Sequence, residues 1–87
     1  MKVRAYDKFR DLYRKLPSAV RRKALRQIHR LSKDQRHPSL QVKRIQGTAG
    51  IWEARVDIRY RMTFEIAGGD TIVLRVIGDH DEALRRP

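Results

Sequence analysis

The sequence predicts an α+β fold, with an N-terminal helix hairpin packed on a twisted antiparallel β-sheet of three or four strands. Three observations predict it. Apolar residues recur at helical spacing through the first third of the chain, the period changes to two from Ile51 onward, and Gly and Pro punctuate the segments between. A length of 87 residues suits one small domain spanning 1–87.

Residues 2–5 are expected to form a short edge strand with Val3 and Ala5 on one face. Asp7 is placed to N-cap the helix that follows. Phe9, Leu12, Tyr13 and Leu16 fall at i, i+3, i+4 and i+7, the stripe of an amphipathic helix. Pro17 ends that helix and suits the first turn of the next. Val20, Ala24, Leu25, Ile28 and Leu31 make the second stripe, while Arg21, Arg22, Arg26, His29, Arg30 and Lys33 occupy the other faces. A turn this short predicts an antiparallel hairpin.

Residues 32–50 read as an ordered polar connection anchored by Leu40, Val42 and Ile45, with room for a short extended segment. Strands are predicted over 51–58, 60–66 and 71–77. Trp52, Ala54, Val56 and Ile58 alternate with Glu53, Arg55, Asp57 and Arg59, and Tyr60, Met62, Phe64 and Ile66 alternate with Arg61, Thr63 and Glu65. Ala67-Gly68-Gly69-Asp70 is a hairpin turn. Ile72 to Ile77 is apolar apart from Arg75, as in a central strand covered on most of both faces. Asp79-His80-Asp81-Glu82 is the exit. Trp52, Met62, Phe64 and Leu74 should meet the helices, leaving Arg55, Arg61 and Arg75 on the opposite face.

Composition narrows the function. The chain carries 21 Lys and Arg against 10 Asp and Glu, a net charge of +11. Residues 1–48 hold fifteen cations and three acids, a net of +12, and residues 49–87 hold six cations and seven acids, a net of −1. A field that strong on one half exceeds what solubility needs and points to a polyanion partner. The apolar fraction of 40% excludes a disordered basic tail. The absence of Cys excludes disulfides, thiolate metal sites and thiol nucleophiles. Neither a membrane span nor a signal peptide is read in the sequence, and a cytoplasmic location is the expectation. Three scattered His with no i, i+4 pair predict no metal site and no cofactor.

The second half carries the candidate chemistry. In a meander of those strands, Arg55, Arg61 and Arg75 approach one another, and like charges opposite one another are destabilising unless an external anion uses them. His80 stands at the rim of the same face. Together they would form a phosphate clamp beside a titratable imidazole. Blander roles stand beside these. Arg61 can pair with Glu65 or Glu53, Arg75 can be a structural ion-pair member, and His80 can be a turn residue between two Asp. His37 before Pro38 reads as a turn residue, His29 as solvated, and Trp52 as core.

These segments resemble the RelE/ParE superfamily of toxins from type II toxin–antitoxin operons. The likeness runs along the whole chain, through LSKDQRHPSL, GIWEARVDIRYRMTFEI and TIVLRVIGDHDEAL. It implies a RelE-like fold and, in the RelE/YoeB/YafQ branch, a ribosome-dependent mRNA interferase. Such an enzyme cuts mRNA in the ribosomal A site by 2′-OH attack. Arg61 in Tyr60-Arg61-Met62 matches the strand Arg that stabilises the phosphate. Arg55 falls near a basic position of the preceding strand. His80 in Gly78-Asp79-His80 matches the His that protonates the leaving oxygen, and His37 in His37-Pro38-Ser39-Leu40 resembles a His that takes part in catalysis. The C-terminal Tyr and the Lys pair of RelE have no counterpart here, which places the chain nearer the His-using branch and leaves the base open. The resemblance further implies that Arg21, Arg22, Arg26, Lys43, Arg44 and Arg75 bind RNA, that ribosome and mRNA are partners, and that an acidic antitoxin covers the basic surface. Two alternatives stand: a ParE-like DNA gyrase inhibitor without RNase activity, and a non-catalytic basic nucleic-acid-binding module.

Overall fold

The computed structural model describes residues 1–87. Strand β1 (Lys2–Ala5) leads into helices α1 (Asp7–Arg14) and α2 (Ser18–Lys33). A 3-10 turn at Pro38–Leu40 follows, then strands β2 (Lys43–Arg44), β3 (Trp52–Arg55), β4 (Tyr60–Ala67) and β5 (Thr71–Asp79), and helix α3 (His80–Arg85). The α+β class and the helix hairpin agree with the sequence. The strand count does not: one five-stranded sheet has the order β1-β5-β4-β3-β2, and β1 runs parallel to β5 while the other pairs are antiparallel. Two residues at Lys43–Arg44 are too short to show alternation, and the parallel partner of Lys2 is Thr71, far along the chain. Local periodicity carries neither fact.

The core lies between the hairpin and one sheet face. Phe9, Leu16, Val20, Ala24 and Leu31 pack with Ala54, Val56, Met62, Phe64, Ile72, Leu74 and Ile77. The expected orientation of Met62, Phe64 and Leu74 therefore holds, with Trp52 half-buried against the same cluster. Leu25 does not join it: the buried stripe of α2 runs Val20, Ala24, Gln27, Leu31, and Leu25 is 57% exposed. Asp7 is the first helical residue, not the cap, a position that still suits a carboxylate at the positive end of the helix. Pro17 is the N-cap of α2.

Two further differences shape the site. The strand predicted over 51–58 ends at Arg55, because the Asp57 carboxylate accepts the amides of Arg59 at 2.8 Å and Tyr60 at 2.9 Å and folds the chain into a turn. Ile58 stands at its tip, 81% exposed. The exit at 79–82 is not a loop, since Asp79 accepts the amide of Glu82 at 2.9 Å and caps α3. That helix packs on β4 and β5 and covers part of the face expected to be open. Thr63, Val76 and Ala83 are buried there, outside the main core cluster.

Candidate functional site

Strand register builds the site. Arg55 of β3 lies directly opposite Arg61 of β4, and Arg61 lies opposite Gly78 of β5. Cross-strand partners stand about 5 Å apart at Cα. His80 follows two residues beyond Gly78, and its amide donates to the Arg59 carbonyl at 2.8 Å, so the row extends from β3 across β4 to the start of α3. Gly78 is buried, and a Cβ there would meet the Glu82 side chain at 3.4 Å, so the glycine lets α3 close over the sheet beside this row.

The side chains are held unequally. One guanidinium nitrogen of Arg61 donates to the carbonyls of Asp57 at 2.7 Å and Tyr60 at 3.0 Å, which ties it to its own turn. Neither Glu53 nor Glu65 pairs with it. Arg55 is partly buried, and its Nε is a buried polar atom without a hydrogen-bond partner. His80 is exposed, with Nδ1 3.4 Å from Asp81 Oδ1. In Asp57, burial works to raise the carboxyl pKa, but the amides of Tyr60 and Arg59 and the Lys23 ammonium outweigh it and hold it below the ordinary value.

Arg75 stands apart from Arg55 and Arg61. The register of β4 and β5 slips at Thr63/Phe64, a bulge that leaves Arg75 without a paired residue. Its guanidinium reaches Glu65 at 3.1 Å and the Pro87 carbonyl at 2.9 Å, and lies 5.5 Å from the centre of the Tyr6 ring. The Tyr6 hydroxyl also donates to Glu65. That hydrogen bond first, with Arg75 assisting against the effect of burial, holds the Glu65 carboxyl below its ordinary pKa, and the same bond holds the Tyr6 phenol above its own.

The remaining candidates scatter. Arg21 donates to the carbonyls of Leu16 at 2.8 Å and of Arg14, the last residue of α1, at 3.3 Å. Lys43 reaches the buried Glu53 at 3.7 Å. Arg22, Arg26 and Arg44 are exposed. His37 caps the 3-10 turn: its Nδ1 accepts the Ser39 amide at 3.2 Å and lies 2.8 Å from the Ser39 hydroxyl. No hydrogen bond links it to Arg61 or His80.

Sequence reasoning missed Gln27. Its amide nitrogen donates to Ser39 O at 3.2 Å and Arg55 O at 2.9 Å, joining α2, the 3-10 turn and the end of β3. Arg30 adds donors to Gln27 Oε1 at 3.1 Å and Ser39 Oγ at 3.3 Å. A signal was present, because Gln27 sits three residues after Ala24 and four before Leu31, on the buried stripe. No cluster of His, Asp and Glu is placed to hold a metal, and no helix is long and apolar enough to cross a membrane.

Comparison with known proteins follows the same geometry. The chain is similar to a YoeB/ParE toxin from Agrobacterium tumefaciens, with 18% identity, a TM-score of 0.78 and coverage of 92% of this chain and 99% of that one. It is similar to the toxin fold in an archaeal RelE–RelB complex from Pyrococcus horikoshii OT3, with 20% identity, a TM-score of 0.75 and coverage of 94% and 97%. The intact E. coli RelBE toxin–antitoxin complex gives 14% identity, a TM-score of 0.72 and coverage of 90% and 94%. At such identities the likeness is one of fold. No curated protein matches the sequence. A family model described as ParE-like toxin domain matches residues 18–81, from the first turn of α2 to the first turn of α3. With most of its length inside that match, the chain belongs to the ParE-like toxin domain family, and with it to the RelE/ParE superfamily of toxins from toxin–antitoxin systems.

Proposed function

We propose that this toxin is a ribosome-dependent endoribonuclease that cuts mRNA in the ribosomal A site and so inhibits translation. One observation carries the reading: Arg55, Arg61 and Gly78 at paired register across three strands, with His80 at the end of the row. Cleavage requires that the ribose 2′-OH give up its proton to solvent water, that its oxygen bond to the adjacent phosphorus, and that the leaving 5′ oxygen be protonated as its bond breaks. The products carry a 2′,3′-cyclic phosphate and a 5′-OH. Arg61 keeps nitrogens beyond the one fixed to its turn, and with Arg55 it stabilises charge on the non-bridging oxygens. His80, in the open at the rim, donates to the 5′ oxygen. His37 meets the Ser39 amide through Nδ1, which leaves Nε2 as the ring atom free to reach RNA. The ribosome supplies in-line geometry, a contribution of several kcal/mol. Exposed Arg22 and Arg44, with Lys43, dock on rRNA, and Arg26 also faces RNA. Arg75, paired with Glu65 and Pro87 within the fold, has its charge largely offset and lies beside the RNA surface, and Arg21 contributes through the field of the helix pair.

An acidic antitoxin is the proposed partner. A net charge of +11 supports it, as does the likeness in fold to a toxin held in a RelBE toxin–antitoxin complex. The cytoplasm, where ribosomes and mRNA meet, is the proposed location.

The test is primer extension on mRNA from cells expressing the chain, together with His80→Ala and Arg61→Ala. In-frame A-site cuts are expected, with each variant losing general-acid or charge stabilisation worth about 10²–10⁴-fold in rate and hence growth inhibition. Undiminished toxicity in both well-expressed variants would overturn the assignment. The ParE-like description of the family favours a second reading, inhibition of DNA gyrase. Intact mRNA with a DNA-damage response selects it.

A further inference from the structure

A cleft of about 380 Å³ lies between α2 and the turn joining β3 to β4. It falls in the range of small-ligand sites, roughly 300–1,000 Å³. Four cations line it: Lys23, Arg26 and Arg30 from α2, and Arg55 from β3. Asp57 is the one carboxylate among the lining residues, and it is already committed to two turn amides and to Lys23 at 3.4 Å. The cleft therefore presents an uncompensated charge of about three cations to whatever enters it. Arg26 has no acidic partner, and Arg30 uses one nitrogen within the fold, toward Gln27 and Ser39. Arg55 belongs both to this lining and to the row with Arg61, and its Nε is the buried side-chain polar atom that no group of the protein satisfies. A buried guanidinium N–H without an acceptor is costly unless a ligand supplies one.

We infer that this cleft is a nucleotide site that holds a phosphate of single-stranded RNA next to the scissile row. Three forked guanidiniums match phosphate oxygens bidentately. Ile58, at the lip of the cleft and 81% exposed, offers an apolar surface to a base, which an acidic peptide does not need. Because Arg55 shares both places, a strand crossing the Arg55–Arg61 row meets the cleft one or two nucleotides away from the cut. The inference rests on the chain being an RNA-binding toxin, and not on which residue moves the proton.

The probes are inorganic phosphate and a fully 2′-O-methylated pentauridylate, which binds without being cut. Titrating either into the full chain should shift the Arg55 Nε–Hε resonance. Lys23→Gln with Arg26→Gln should weaken pentauridylate binding at least tenfold. Lys15→Gln with Lys33→Gln removes the same charge outside the cleft and should weaken it less than threefold. The pentauridylate is never cut, so its titration does not depend on catalysis, and a failed nuclease reading and a failed cleft give different results. An unmoved Arg55 resonance at saturation overturns the site, as does equal weakening by the two double variants, which marks a diffuse field. Tighter capture of hexaglutamate than of pentauridylate, with the same resonances shifting, also overturns it and assigns the cleft to an acidic protein partner. The resonance readout uses the unaltered chain, so a poorly folded variant leaves the question answerable.

Discussion

Glu65 shows how much one carboxylate can organise. It takes hydrogen bonds from Tyr6 in the segment before α1 and from Arg75 in the bulge of β5, joining the N-terminal segment to the β4–β5 hairpin. Because its folded-state pKa is depressed, the stability it contributes is fully present above the ordinary carboxylate value near pH 4 and is lost as pH falls through the lower folded value. Asp57 has the same sign. Glu65→Gln should therefore lower the urea midpoint at pH 7 and flatten its decline between pH 5 and pH 2, measured by circular dichroism. A parallel decline in parent and variant would remove Glu65 from the acid response. The strand pattern predicted that Glu65 and Arg75 share a face. It held nothing of Tyr6, whose approach depends on β1 pairing with β5.

At the scale of elements, the joints carry the site. Gln27 ties α2 to the carbonyls of Ser39 and Arg55, and so fixes where β3 ends relative to the helix. Gln27→Ala leaves those part-buried carbonyls unpaired and should cost about 1–3 kcal/mol in urea denaturation. The Arg55 Nε–Hε resonance should broaden as the strand end loosens. Little change in either would reduce Gln27 to filler on the buried stripe. Helix α3 is the other joint, since its cap at Asp79 directs the chain back over Gly78 and sets His80 at the rim. Short range signals marked Asp79 and Gly78 as an exit, and a six-residue helix is too brief for periodicity to reveal.

For the whole molecule, charge separation divides the labour. The net +12 of residues 1–48 supplies attraction, while the second half supplies the row of strands on which chemistry is proposed. If about four phosphates are engaged, the logarithm of pentauridylate affinity should fall with the logarithm of salt at a slope near −3, and by roughly one and a half units less in the Lys23→Gln, Arg26→Gln double variant. A slope near zero would deny the field any part in binding. The sequence by itself determined the α+β class, the helix hairpin, the core-facing set of Met62, Phe64 and Leu74, and the charge, because periodicity and composition act locally and are printed in the order of residues. Tertiary structure alone decided the fifth strand and its parallel partner, the bulge that takes Arg75 away from Arg61, the helix that covers part of the second face, and the cleft that gathers Lys23, Arg26 and Arg30 around Arg55. Those features arise from contacts between residues distant in the chain, where burial and register, and no repeating local pattern, select the neighbour.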